Sequence, residues 1–213
     1  MKILIFGATG GVGREAVRFA LDRGYEVDAF VRNPEKLRLE RQNLRVIQGE
    51  LSDEESVRKA MIGIDAVISA LGPSLDRKAT GMPLVEGTRN IVDAMEQAGV
   101  KRFIGMATPS LKDPRDRRSL LGLIVPVMGR LFLKRAYREL LEMSQVVTGS
   151  SLDWTIARFT RPTDGEASKE KIRAGFLGVD RIGASITRSD IASFLVEQVE
   201  DRQFERAAPA ISS

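Results

Sequence analysis

Apolar positions fall in short unbroken runs, separated by stretches with helical spacing. Lys2–Phe6, Glu26–Val31, Leu44–Gln48, Asp65–Leu71, Lys101–Ala107 and Trp154–Phe159 each read as a strand. Gly13–Arg23 predicts a helix, with Val17, Ala20 and Leu21 on one stripe and Gly24 ending it. Asp53–Met61 predicts a short helix with Ser52 or Asp53 as its cap. Pro83–Ala98 predicts a third, closed by Gly99, and Arg130–Val147 a long fourth. Ser189–Glu200 predicts a late helix capped by Ser189 or Asp190.

Strands that are apolar throughout belong to a parallel sheet covered on both faces. Alternation with helices and right-handed crossovers then give a doubly wound α/β sheet in three layers, α/β/α. After Arg161 the pattern weakens. RPTDGEASKEKIRAG reads as a polar loop, followed by short β-like pieces. Residues 1–213 are expected to form one domain. Residues 160–188 would add a small extension over the carboxyl edge of the sheet, where ligands bind in such folds.

The turn after the first strand, IFGATGGVGREAV, carries Gly7, Gly10, Gly11 and Gly13. The spacing Gly7-x-x-Gly10-x-x-Gly13 lies between a strand and a helix, the context a dinucleotide site requires. A helix N-terminus offers N–H groups and partial positive charge to a pyrophosphate, and glycines allow its close approach. The Rossmann-type cofactor is selected at the end of the second strand, by an acid for a ribose 2′-hydroxyl or a base for a 2′-phosphate. Here Arg32 stands at that place, with Lys36 one turn later, and Asp28 lies mid-strand. Guanidinium grips phosphate bidentately, so NADP(H) is expected in preference to NAD(H).

Composition narrows the chemistry further. The chain has no cysteine and no histidine, which removes disulfides, thiol catalysis, thiolate metal sites and imidazole acid–base work. No metal site is expected. Net charge is +4, but basic and acidic residues are interleaved, which reads as a solvated surface and not a nucleic-acid site. No apolar run reaches the ~20 residues of a membrane span. The N-terminus reads as a buried strand without a signal peptide, so a cytoplasmic protein is expected. Nothing in the pattern requires more than a monomer or weak dimer.

FGATGGVG, AFVRNPEKL, VIQGELSD, DAVISALGP, SSLDWTIARFTRPTDG and ITRSDIASFLVEQVED occur in that order over nearly the whole chain. With these motifs the chain resembles the atypical short-chain dehydrogenase/reductase group with the NAD(P)H-binding, NmrA-like core. It looks closest to small members related to biliverdin-IXβ/flavin reductase and to NADH-flavin reductases. The resemblance implies that Thr9, Gly11 and Val12 line the pyrophosphate. It sets Glu50 and Leu51 by the adenine, with Glu50 where the family usually has Asp. Ala70, Leu71 and Gly72 would pass the nicotinamide ribose. Thr108 replaces a frequent serine at the end of the fifth strand. Phe159 and Thr160 follow Arg158 where relatives often read Arg-Pro-Pro. Thr108, Phe159 and Thr160 would flank the nicotinamide, with Thr108 the candidate catalytic group.

The tyrosine–lysine pair of classical short-chain dehydrogenases is missing. Four residues after Tyr25 stands Ala29, and four after Tyr137 stands Leu141. A reversed pair through Lys134 is one reading of Tyr137; helix packing with an exposed hydroxyl is the plainer one. Thr108 has an equally plain alternative, a strand-end hydroxyl bonded to backbone. Hydride transfer to a flat conjugated acceptor (flavin, quinone or bilin) needs no strong protein base. A non-catalytic NADP-binding sensor of NmrA type is the alternative. The Pro-broken apolar stretch around residues 119–133, with basic flanks, reads as a flap lined by Leu121, Ile124 and Met128, or as a membrane-surface or partner-binding patch. Trp154 reads as a core residue.

Overall fold

The structure, a computed structural model, describes residues 1–213 except 77, 166 and 169–171. Strands β1 (Lys2–Phe6), β2 (Glu26–Val31), β3 (Leu44–Gln48), β4 (Ala66–Ser69), β5 (Arg102–Ala107) and β6 (Asp153–Arg158) form the parallel part of an eight-stranded sheet. Two short C-terminal strands complete it, β8 (Arg173–Gly175) and β10 (Ala210–Ser212). The order is β3-β2-β1-β4-β5-β6-β10-β8, with β10 parallel to β6 and antiparallel to β8. The sheet is therefore mixed at one edge, where the sequence pattern predicts only parallel strands. β7 (Arg161–Thr163) and β9 (Ser185–Thr187) pair in a separate two-stranded parallel sheet.

Strand alternation divides the core. Ile3 and Ile5 of β1 point to one face, covered by α1 (Gly11–Asp22) and α6 (Arg188–Glu197). Leu4 and Phe6 point to the other, covered by α2 (Glu54–Ala60), α3 (Pro83–Ala98) and α5 (Lys134–Thr148). This is the three-layer Rossmann-like α/β/α fold. Trp154 is buried in the second core, as the reading of it as a core residue expects. α2 is capped by Asp53, whose carboxylate accepts from Ser56 N at 3.1 Å. α3 ends at Gly99, whose φ of 73° is left-handed.

Three expectations need correction. The late helix is capped not by Ser189 or Asp190 but two residues before Ser189, by Thr187, whose hydroxyl accepts from Asp190 N at 3.0 Å. The long helix expected over 130–147 is two helices, α4 (Leu120–Phe132) and α5, broken at Leu133. Leu133 leaves the helical conformation, with φ of −133°, and joins the two helices as the C-cap of α4, where its N–H donates to Gly129 O, and the N-cap of α5, where its carbonyl accepts from Tyr137 N. The break also lets the Tyr137 ring fold onto Gly129, where a Cβ would lie 2.6 Å from the ring. Finally, the polar tail after Arg161 holds β7 and β8, and its residues 166 and 169–171 lie outside the described residues.

Candidate functional site

The strand order reverses between β1 and β4, which both neighbour each other and lead to different sides of the sheet. Crevices form beyond the carboxyl ends of strands at such a switch point. The turns after β1 and β4 meet there. Gly7 has φ of 75°, and a Cβ on it would sit 2.7 Å from the Ala70 carbonyl oxygen. A Cβ on Gly13 would overlap the Gly7 carbonyl oxygen. The motif spacing is thus a packing requirement: the turn passes too close to itself and to β4 for side chains.

Above this turn α1 begins with Gly10 as N-cap, without a side-chain cap and without an acid in its first turn. Its fourth residue is Arg14, whose Nη2 donates to Lys36 O at 3.0 Å. The Arg188 side chain, from the first residue of α6, lies against Gly11, its Cδ 2.7 Å from where a Cβ would be. Arg188 pairs with Asp164, an almost fully exposed carboxylate. Acids are favoured at helix N-termini and cations are not. α1 carries Arg14 in its first turn with no acid there, whereas α6 opens on Arg188 with a Thr187 cap and Asp190 in the same turn, so an added anion would chiefly improve the start of α1.

Arg32 follows β2 directly and is exposed, as is Lys36 in the 3₁₀ turn Pro34–Lys36. Asn33 caps that turn by accepting from Glu35 N at 2.9 Å. Asp28 is buried, 3.1 Å from Lys2 Nζ and held by Arg45 from β3. Its carboxylate is occupied within the sheet, as its mid-strand position suggests.

Glu50 is exposed after β3, and Leu51 packs on Gly87 of α3 while its carbonyl accepts from Asn90 Nδ2 at 2.8 Å. Ala70 is buried and donates to Phe6 O at 3.0 Å, and Gly72 is exposed beyond it. Thr9 lies in the β1–α1 turn and Val12 is buried in α1. Thr108 is half-buried after β5, and its Oγ1 accepts from Ser110 N at a long 3.4 Å. Phe159 and Thr160 are half-buried after β6, with Phe159 N donating to Ala107 O at 3.2 Å. The singled-out residues thus all stand on turns at the carboxyl ends of β1–β6 or at the start of α1.

Behind them, fully buried Arg158 grips Asp116 through Nη1 at 2.6 Å and Nη2 at 2.8 Å, and donates to Leu111 O at 2.9 Å. Asp116 also accepts from Leu177 N at 3.0 Å. Burial alone would raise the Asp116 carboxyl, but the hydrogen bonds led by Arg158 hold it below the ordinary carboxylate range. This pair fixes the loop that follows Thr108. A second pair, Arg135–Glu139 at 2.7 Å, fixes the loop that follows Gly72. Arg135 donates to the Ser74 and Gly81 carbonyls, and Glu139 accepts from Leu84 N at 3.0 Å, serving α3 as a cap from another helix.

Tyr137 belongs to the α4–α5 corner. Its hydroxyl accepts from Arg130 Nε at 3.2 Å. The expected flap is a helix, and Ile124 and Met128 point to solvent; only Leu121 of the three proposed lining residues is half-buried. Sequence reasoning missed Arg14 and Arg188. The available signal was a basic residue in a first helical turn, a local choice that opposes the dipole.

A family model described as NAD(P)H-binding matches residues 7–202. The photosystem II assembly factor Ycf39 of Guillardia theta is 41% identical over 107 residues, 49% of this chain and 34% of that protein. A (4-alkanoyl-5-oxo-2,5-dihydrofuran-3-yl)methyl phosphate reductase of Streptomyces griseus is 28% identical over 73% of this chain and 46% of that one. The chain thus spans less than half the length of these two curated relatives. Among solved structures, the oxidoreductase ylbE from Lactococcus lactis superposes with a TM-score of 0.81 at 24% identity, over 100% of this chain and 91% of that one.

Proposed function

The chain belongs to the NAD(P)H-binding family, and from that premise we propose that it is an NADPH-dependent reductase of a flat conjugated acceptor: a flavin, quinone or bilin. The supporting observation is the cation set around an uncapped helix start. Arg14 and Arg188 oppose the dipoles of their own helices, and Arg32 and Lys36 follow the second strand without a nearby strand-end acid. A pyrophosphate between α1 and Arg188, and a 2′-phosphate among Arg14, Arg32 and Lys36, would satisfy these charges. Gly7, Gly10 and Gly13 keep the turn low enough for contact, with Thr9, Gly11 and Val12 lining it. In this reading Glu50 and Leu51 border the adenine and Ala70, Leu71 and Gly72 the ribose. Thr108, Phe159 and Thr160 flank the nicotinamide.

When bound, the cofactor supplies a hydride. The chain's task is to hold donor and acceptor face to face and to exclude water between them. Tyr137 has Leu141 and not a lysine four residues on, and its hydroxyl is held by Arg130 at the α4–α5 corner. An electron-poor conjugated ring suits this site, because it takes the hydride without a base and gains its proton from solvent. Thr108 serves as a polar orienting group: its oxygen accepts weakly from Ser110 N, and its own O–H remains able to donate.

The second reading, a non-catalytic NADP sensor, draws on the likeness to a protein described as an assembly factor. Steady-state oxidation of NADPH and NADH with FMN, menadione and biliverdin separates the two. The reductase reading expects NADPH oxidation with at least one acceptor. Tight NADPH binding with no turnover on any of the three would establish the sensor instead.

A further inference from the structure

We propose that α4 is a docking surface for an anionic lipid bilayer. Its 13 residues contribute nothing to the buried set, and no α4 side chain belongs to either core. The positions turned outward are Leu120, then Leu123 and Ile124, Val127 and Met128, and Leu131 and Phe132. That spacing is one stripe of an α-helix. Every member is apolar and 47–76% exposed. A surface helix normally turns such a stripe to the core. This one turns it to solvent, and sets the glycines and Pro126 toward the protein. Scattered exposed apolar residues are ordinary, but a continuous stripe marks an interaction surface.

Charge selects the occupant. From Arg117 to Arg138 the sequence has six basic residues and no acidic one. Arg135 is tied to Glu139, but Arg117, Arg118, Lys134 and Arg138 are exposed and form no ion pair among the described residues. Arg130 is exposed beside them, held to Tyr137. The apolar stripe therefore has cations at both ends and none between Ser119 and Gly129. A second copy docked by a two-fold axis would set these cations against the same cations, which repel. A bilayer accommodates both features, with the stripe among acyl chains and the arginine and lysine stems reaching anionic headgroups. At 1.5 Å per residue α4 is about 20 Å long, short of the ~30 Å hydrocarbon core. It would lie in the interface plane. Among the described residues no helix is long and apolar enough to cross a membrane.

The test is flotation of the full chain with phosphatidylcholine vesicles, with and without about a third phosphatidylglycerol, the range in which surface charge acts strongly. The chain should float with the anionic vesicles, and less so as salt rises. The double variant Leu123→Glu, Met128→Glu should bind at least about tenfold more weakly. The double variant Arg117→Gln, Arg118→Gln should lose most of the preference for anionic lipid. All four positions are exposed, so circular dichroism and the urea midpoint should match the parent. Absence of flotation with either vesicle overturns the proposal, as does equal binding to neutral ones or binding that both variants retain. A parent dimer that the glutamate variant disperses would assign the stripe to a second copy.

Discussion

A cation in the first turn of a helix costs a few tenths of a kcal/mol up to about 1 kcal/mol against the dipole. Arg14 and Arg188 both accept that position, and Arg32 stands beyond the next strand with its guanidinium exposed. Such local violations are informative because folding alone would not favour them. Arg32 is the residue on which cofactor choice is proposed to turn. A charge-assisted hydrogen bond contributes about 1.5–3 kcal/mol. Arg32→Ala should therefore weaken NADPH by roughly 10- to 100-fold and NADH by no more than about threefold. Titration of each cofactor by fluorescence checks this; an equal loss for both would separate Arg32 from the 2′-phosphate. At this scale Gly7, Gly13, Arg32 and Lys36 were legible because a motif and its register carry them. Arg188 was not, since its approach to Gly11 joins residues at opposite ends of the chain.

Elements were legible in proportion to length and periodicity. β2, β3 and α3 have the boundaries the pattern predicts, and β1 follows from KILIF. The strands RPT, RAG and SIT have three residues each, too few for a period to show, so only their partners reveal them. The α4–α5 break was hidden for another reason: nothing in LFLKRAY stops a helix, and the turn is set by Tyr137 packing on Gly129. Buried ion pairs were hidden too. Arg158 of β6 reaches Asp116, which also accepts from Leu177 N, so one carboxylate ties three segments behind the site. Removing one partner of a buried pair costs about 3–5 kcal/mol, and Asp116→Asn should lose about that much in urea unfolding at neutral pH. The folded carboxyl titrates below its unfolded value. Its contribution is therefore complete above the unfolded pKa, about 3.9, and vanishes as pH falls through the folded one. The gap between parent and variant should narrow below about pH 4. A constant gap down to pH 2 would mean that Asp116 acts through shape and not charge.

At the scale of the molecule, the sheet separates two cores, and the proposed cofactor site lies where the turns between them converge. The turn after β1 feeds α1 over one core, while the Ala70 carbonyl that confines it comes from β4, whose next helix covers the other. Arg188 adds α6, and Asp164 adds the segment after β7. A ligand held there braces elements from both faces at once, so its binding energy should appear in global unfolding and not only in a local loop. A ligand at 100 times its Kd stabilises a folded chain by about 2.7 kcal/mol, and each kcal/mol raises the midpoint of a chain this size by about 2–4 °C. NADPH at that excess should raise Tm by about 5–11 °C. NADH at the same concentration should give a clearly smaller rise, and Arg32→Ala should bring the NADPH rise down to it. Differential scanning calorimetry reads all three in one series. A Tm unmoved by saturating NADPH, with binding shown independently, would mean that the site joins to the fold through one mobile segment and that the two cores unfold without sensing it.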